Sequence, residues 1–284
     1  MRRLVTLLIA LVALVSLPSI ASAQTAECDK LSGAKRQVAL EVLKSQHPYD
    51  CCDGTIWDCL KRSPVCRLAT RLADDVCRRA GKGETRQAIE RELQRRAASM
   101  MPGGKQYSSD LSGSTPAGDA GAPVTVVGYM CARCPYCARL TPALYQSVTS
   151  GRLKGKVKFY LRLFPIRSHQ YSTEGALALQ AAQELGHFWP FVLHVYSVFD
   201  HFDPAKLPDC AASKGMDRQR FIDTMNAAST RAKVVASKKE GVRNNVNATP
   251  TLFINGRKYT GDLSITAVQD VLEEEWERVT GKQH

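Results

Sequence analysis

The spacing of apolar residues changes along the chain, and each change marks an element. An uncharged run from Leu4 to Leu17 comes first. From Leu31 to about Ala98 the period is helical: Val65, Leu68, Ala69, Leu72 and Val76 fall on one face, and Ile89, Leu93 and Ala97 recur at every fourth position. Ser63-Pro64 supplies a cap and a first helical residue, Gly81 and Gly83 bracket a break, and Thr85 caps the helix that follows, so three or four short helices are expected. Between Pro102 and Pro123 the apolar positions give way to Gly, Ser, Pro, Asp and Ala, the composition of a flexible linker and the place for a domain boundary.

Beyond it the period shortens. Val124 to Met130 is an almost continuous apolar run rich in β-branched residues, as in a strand buried on both faces. A helix should start at Pro135. Val157 to Pro165 alternates, with Val157, Phe159, Leu161 and Leu163 on one side, which makes a second strand and a β-α-β unit. Helical stretches follow from Glu174 to Leu185, from Pro190 to about Phe199, from Asp203-Pro204, and after Asp217. Thr251 to Ile254, the Asn255-Gly256 turn and Arg257 to Tyr259 predict a hairpin, because Asn-Gly tolerates positive φ. A helix from about Ser264 to Val279 closes the chain.

Composition changes this picture at the N-terminus. Arg2 and Arg3, the apolar run, and Ala21-Ser22-Ala23 read as a secretory signal cleaved after Ala23. A helix over Leu4 to Leu17 would be about 21 Å long against roughly 30 Å of hydrocarbon, which argues against an anchor. The expected layout is therefore a signal over 1–23, a helical domain over 24–101, a linker over 102–123 and a second domain over 124–284. The formal charge is +12. Export makes nucleic acid a poor partner, and Arg91, Arg95 and Arg96 interleave with Glu90 and Glu92 as on a solvated helix face.

Export also sets how the ten cysteines are read. Cys28, Cys51, Cys52, Cys59, Cys66 and Cys77 crowd the N-terminal third and predict two or three structural disulfides. Six cysteines allow 15 pairings, of which Cys66 with Cys77 is excluded if both lie on one helix, being then about 16 Å apart. Cys131, Cys134 and Cys137 form a second cluster, and Cys210 stands alone, free or paired with Cys131.

The chemistry resides in Cys134-Pro135-Tyr136-Cys137. A first thiol at a helix N-terminus meets free amides and the positive end of the dipole, which favour its thiolate. Cys134 is then the exposed nucleophile and Cys137, one turn in and more buried, the resolving thiol. Pro135 suits the first turn, where its missing amide costs nothing. Zinc would need a second ligand pair, and only Cys210 lies downstream. Cys131-Ala132-Arg133-Cys134 is an overlapping pair whose first member sits at a strand end, an auxiliary thiol. His187, His194 and His201 recur every seventh residue, about 10 Å along a helix and too far for one ion, and the methionines read as packing residues. No metal and no cofactor are expected.

These motifs resemble the DsbA-like branch of the thioredoxin superfamily from about Val124 to Val279. The matching pieces are Val124 to Tyr129 leading into Cys134-Pro135-Tyr136-Cys137, Leu163-Phe164-Pro165 with His169, Gly186-His187-Phe188-Trp189, and Ala248 through Gly256. The resemblance implies a thioredoxin fold with a helical insertion, an α/β class, behind a small all-α cysteine-rich domain. It also implies a cis peptide at Pro250 beside the cysteines, with Thr249 and Pro250 docking the substrate backbone and Pro135 and Tyr136 at the substrate side. Thr249 looks like the isomerase or reductase members. Gly128 stands where relatives carry an acidic residue, and Cys131 where an Asp is common. Further upstream, Cys66-Arg67-Leu68-Ala69 through Ile89 and Leu93 resembles a three-helix haem-lyase subunit but lacks its paired cysteines.

The reading is a periplasmic thiol-disulfide oxidoreductase acting as oxidase, isomerase or reductase. Its partners would be cysteine-containing exported proteins and a membrane or periplasmic redox protein. A homo-oligomer through the N-terminal domain is admitted and would favour isomerase. The alternatives are a metal-binding or chaperone-type periplasmic protein, in which thiolates hold copper or zinc, and a thiol reductant for cytochrome c assembly.

Overall fold

The computed structural model describes residues 25–101 and 103–282, so the signal read over 1–23 lies outside the described residues. Five helices make up the N-terminal region: α1 (Ala26–Asp29), α2 (Gly33–Ser45), α3 (Ile56–Cys59), α4 (Arg67–Gly81) and α5 (Arg86–Met100). Two are single turns, which is why periodicity showed only three or four. Val42, Leu43, Ile56, Leu72, Val76 and Ile89 form a core of their own. The start of α4 differs from expectation: the Ser63-Pro64 peptide is cis, Cys66 is the N-cap, and Val65, ahead of the helix, is exposed. Thr85 does cap α5, its hydroxyl accepting from the Ala88 amide at 3.3 Å.

So small a core is stapled. Cys28 bonds Cys77, Cys51 bonds Cys66 and Cys52 bonds Cys59, each joining two segments that the core alone would hold loosely.

The rest of the chain runs β1 (Val124–Met130), α6 (Pro135–Thr149), β2 (Val157–Leu163), then α7 (Ser172–Glu184), α8 (Phe188–Ser197), α9 (Leu207–Ser213), α10 (Arg218–Asn226) and α11 (Ala228–Arg243), and finally β3 (Thr251–Ile254), β4 (Arg257–Tyr259) and α12 (Ile265–Thr280). The sheet order is β2-β1-β3-β4, parallel between β1 and β2 and antiparallel elsewhere. Asn255 and Gly256 turn the hairpin with φ of 44° and 80°. Val124, Val126 and Met130 face the α6 and α12 side, where the larger core lies, while Val127 and Tyr129 face the opposite layer with Phe164, Val246 and Phe253. Helix α11 was not expected, because its large apolar residues give no stripe: Val234 is buried, but Val235 and Val242 are exposed among lysines and arginines.

The stretch read as a flexible linker is instead a strap across the sheet. Gln106 bridges Arg257 on β4. Tyr107 packs edge-on against Phe253 of β3, the Ser109 and Tyr129 hydroxyls are 3.0 Å apart, and the Asp110 amide donates to Glu240 on α11 at 2.7 Å. At the far edge Ala117 exchanges two backbone hydrogen bonds with Phe159 of β2, at 2.8 and 3.0 Å. The contacts at the two edges of the sheet use the backbone, so a Gly-, Ser- and Pro-rich composition conceals them.

The two regions meet along α12. Arg71 holds Glu277 at 2.6 Å, Arg78 holds Asp270 at 2.9 Å, Arg96 holds Glu274 at 2.9 Å, and Tyr49 also hydrogen-bonds Glu274. Arg79 reaches Asp262 at 2.9 Å just ahead of that helix. Arg96 and Glu92 therefore do not lie on a solvated face: both are buried in this seam, Arg96 at 2% exposure, because partners for its charge come from a segment almost 180 residues away.

Candidate active site

The strand end of β1 delivers a tight turn, and the turn delivers a helix. The Cys134 amide donates to the Cys131 carbonyl at 3.1 Å, closing Cys131-Ala132-Arg133-Cys134, and Cys134 is the N-cap of α6 with Pro135 in its first turn. Gly175 of α7 permits the close approach of this turn, since a Cβ there would stand 2.7 Å from Ala132 Cβ. Arg133 anchors the turn to the helical insertion, its guanidinium stacked on Phe199 and Phe202 and donating to the Phe199 carbonyl at 2.5 Å.

Cys134, Cys137 and Cys131 are all free thiols, and all are buried. The expectation that Cys134 is exposed is corrected: it is 1% exposed, because the Thr249-Pro250 turn closes over it, with Cys134 Sγ donating to the Thr249 carbonyl at 3.2 Å. The Thr249-Pro250 peptide is cis and Pro250 is buried. Pro135 and Tyr136 remain outside, Tyr136 63% exposed with Arg139 over its ring.

The electrostatics separate the two motif thiols. A hydrogen bond from Cys137 is the largest influence on Cys134; burial opposes it, and the Cys137 amide, the Thr249 hydroxyl and the Tyr136 amide reinforce it, so that its pKa is lowered to about 5. Cys137 goes the other way, pushed far up by burial first, then by its hydrogen bond with Cys134 and by that neighbour's charge. Thr249 Oγ1 is buried with no hydrogen-bond partner while Cys134 is a thiol. Such an orphan donor is costly until a negative sulfur forms beside it.

Cys131 opens the turn that Cys134 closes. Its Sγ is 3.4 Å from His169 Nδ1, and its carbonyl accepts from the Tyr196 hydroxyl at 3.3 Å. His169 was legible only as a family match and Tyr196 not at all; the aromatic richness of α8 was its one trace. No side chain occupies the place of Gly128, since a Cβ there would meet Met130 Cε at 2.5 Å and Phe159 Cε2 at 2.9 Å. Cys210 sits apart on α9 as a free, half-buried thiol. Among the described residues no group of three or more His, Cys, Asp or Glu is arranged to hold a metal ion, and His187 caps α8 while His194 lies within it and His201 beyond it. Nor is any described helix long and apolar enough to cross a membrane.

Comparisons with known proteins agree with the fold. The sequence profile of the family described as thioredoxin matches residues 112–274. BdbD from Bacillus subtilis superposes with a TM-score of 0.54 at 20% identity, over 61% of this chain and 98% of that one. The thiol-disulfide exchange protein α-DsbA2 from Wolbachia pipientis gives 0.51 at 22% identity, over 58% and 88%. The catalytic domain of Proteus mirabilis ScsC gives 0.51 at 15% identity, over 67% and 97%. Among curated sequences, the Na(+)/H(+) antiporter NhaA 3 of Salinispora tropica is 30% identical over 148 residues, 52% of this chain, and the match spans 22% of that protein's length.

Proposed function

The chain belongs to the thioredoxin family with the fold of its DsbA-like members, and on that premise we propose that it is an exported thiol-disulfide oxidoreductase acting on cysteine-containing exported proteins. The carrying observation is the split between two adjacent thiols: Cys134 at a helix N-terminus with its pKa lowered to about 5, and Cys137 buried behind it with its pKa raised. As a disulfide donor, the Cys134–Cys137 disulfide is attacked at Cys134 by a substrate thiolate, Cys137 leaves as a thiol, and a second substrate thiol releases the Cys134 thiolate; in reverse, the Cys134 thiolate attacks a substrate disulfide and Cys137 resolves the mixed disulfide. Thr249 and Pro250 dock the substrate backbone, Pro135 and Tyr136 form the exposed rim, and substrate must displace the Thr249 contact to reach the sulfur.

The same split favours the oxidising direction. Stabilising the Cys134 thiolate stabilises the reduced pair, which makes its disulfide a stronger oxidant. Export is supported by the leader-like first 23 residues and by the three disulfides of the N-terminal region, which we read as a separate stapled domain. A membrane or periplasmic redox protein would reoxidise the centre.

The test is the reduction potential of the Cys134 and Cys137 pair in glutathione buffers. A value near about −120 mV supports a disulfide donor, and one near about −270 mV reverses the direction. A pair that does not equilibrate with glutathione at all removes the reading.

A further inference from the structure

Two thiols, not one, flank the reacting sulfur, and the second has an imidazole beside it. Cys131 and Cys134 are the ends of one turn closed by a 3.1 Å hydrogen bond. Such a turn holds its terminal Cα atoms within about 7 Å, and a disulfide spans about 4.4–6.8 Å. The two ranges overlap, so a Cys131–Cys134 bond is within reach of this backbone. Burial pushes the Cys131 thiol up, so it needs help to ionise, and Cys134 is close enough to influence it electrostatically. That help stands beside it: His169 Nδ1 is 3.4 Å from Cys131 Sγ. His169 is only half-buried and lines a cleft of about 460 Å³ with Pro165, Arg167, Tyr171 and Lys238, which gives the proton a way out to solvent.

Resting on the oxidoreductase reading above, we propose that Cys131, with His169 as its base, is a second resolving thiol, so that Cys134 can close a disulfide with either Cys137 or Cys131. In the step, Cys131 Sγ gives its proton to His169 and attacks Cys134 Sγ of the mixed disulfide. The Cys131–Cys134 bond forms, the bond from Cys134 to the substrate sulfur breaks, and that sulfur departs with the electron pair and takes up a proton. One disulfide replaces another, and no outside oxidant is consumed. Two exits from a single mixed disulfide suit a centre whose ordinary resolving thiol is deeply buried and hard to ionise.

The experiment uses the full mature chain carrying Cys137→Ala, with Cys137→Ser as the substitute if that variant does not fold, and glutathione disulfide as the probe. Mass spectrometry follows the Cys134–glutathione adduct, and peptide mapping locates any internal disulfide. The expected result is loss of glutathione and appearance of a Cys131–Cys134 link. Adding Cys131→Ser should hold the adduct, and adding His169→Ala should slow its decay about a hundredfold. An adduct in Cys137→Ala that lasts as long as in the double variant overturns the proposal, as does an internal disulfide that maps to Cys210. If wild-type protein itself forms neither an adduct nor a disulfide, the oxidoreductase reading has failed and this one falls with it.

Discussion

The N-terminal helical region and the thioredoxin-fold region each hold fully buried cysteines. Cys59 and Cys77 are as inaccessible as Cys134 and Cys137, all four at 1% exposure or less, yet the first pair are staples and the second pair free thiols. Burial therefore does not decide what a sulfur does. In the N-terminal region each bond joins separate segments with Cα atoms 5.0 to 6.3 Å apart, restraining the chain. In the second region three thiols share one turn and the start of one helix, where amides and a carbonyl already address the sulfur. What separates the two groups is where the neighbouring sulfurs lie: in other segments for the staples, in the same turn and helix start for the free thiols.

The sharpest way to break this comparison is Cys134→Ala, which should reduce disulfide exchange with a peptide substrate to the uncatalysed background while the three N-terminal disulfides persist; exchange surviving in that variant would move the chemistry to another cysteine. Next comes the titration of Cys134, read as the pH dependence of its iodoacetamide alkylation. A midpoint near 5 is expected, moving up in Cys137→Ala because the Cys137 hydrogen bond is its largest stabiliser. The sign follows: a pKa depressed by folding stabilises the reduced protein as pH rises above about 5 towards the ordinary cysteine value, and that stabilisation is lost as pH falls through about 5.

Smaller effects test the stapled half. Removing the link across a sequence separation of 49 with Cys28→Ser and Cys77→Ser should cost about 4 kcal/mol in chemical denaturation. Along the seam, Glu274→Gln leaves the buried Arg96 guanidinium without its counter-charge and should cost about 3 kcal/mol. Arg67→Ala, whose half-exposed side chain reaches Glu277 at 3.1 Å, should cost less than about 1 kcal/mol. Equal losses in these last two would mean that the seam does not distinguish buried from exposed charge.

What was legible in the sequence follows the range of the forces involved. The Asn255-Gly256 hairpin, the strand ending at Met130 and the helix opening at Pro135 are decided within a few residues, and the reactive motif lies among them. Cys134 looked exposed because the turn that covers it lies 115 residues downstream. Arg96 looked solvated because Glu274 lies 178 residues downstream, and the pairing of six cysteines depends on how five helices pack. The strap escaped notice for another reason: its contacts at either edge of the sheet are made by amides and carbonyls that every sequence carries.

That strap has a consequence for the protein's behaviour among other chains. A four-stranded open sheet ordinarily exposes two rows of unsatisfied amides and carbonyls, each a template for a foreign strand. Here Ala117 lies against the outer side of β2 and Gln106 against that of β4, so both templates are blunted by one crossing segment. Strand addition by a neighbouring chain is thereby disfavoured at both edges of the sheet.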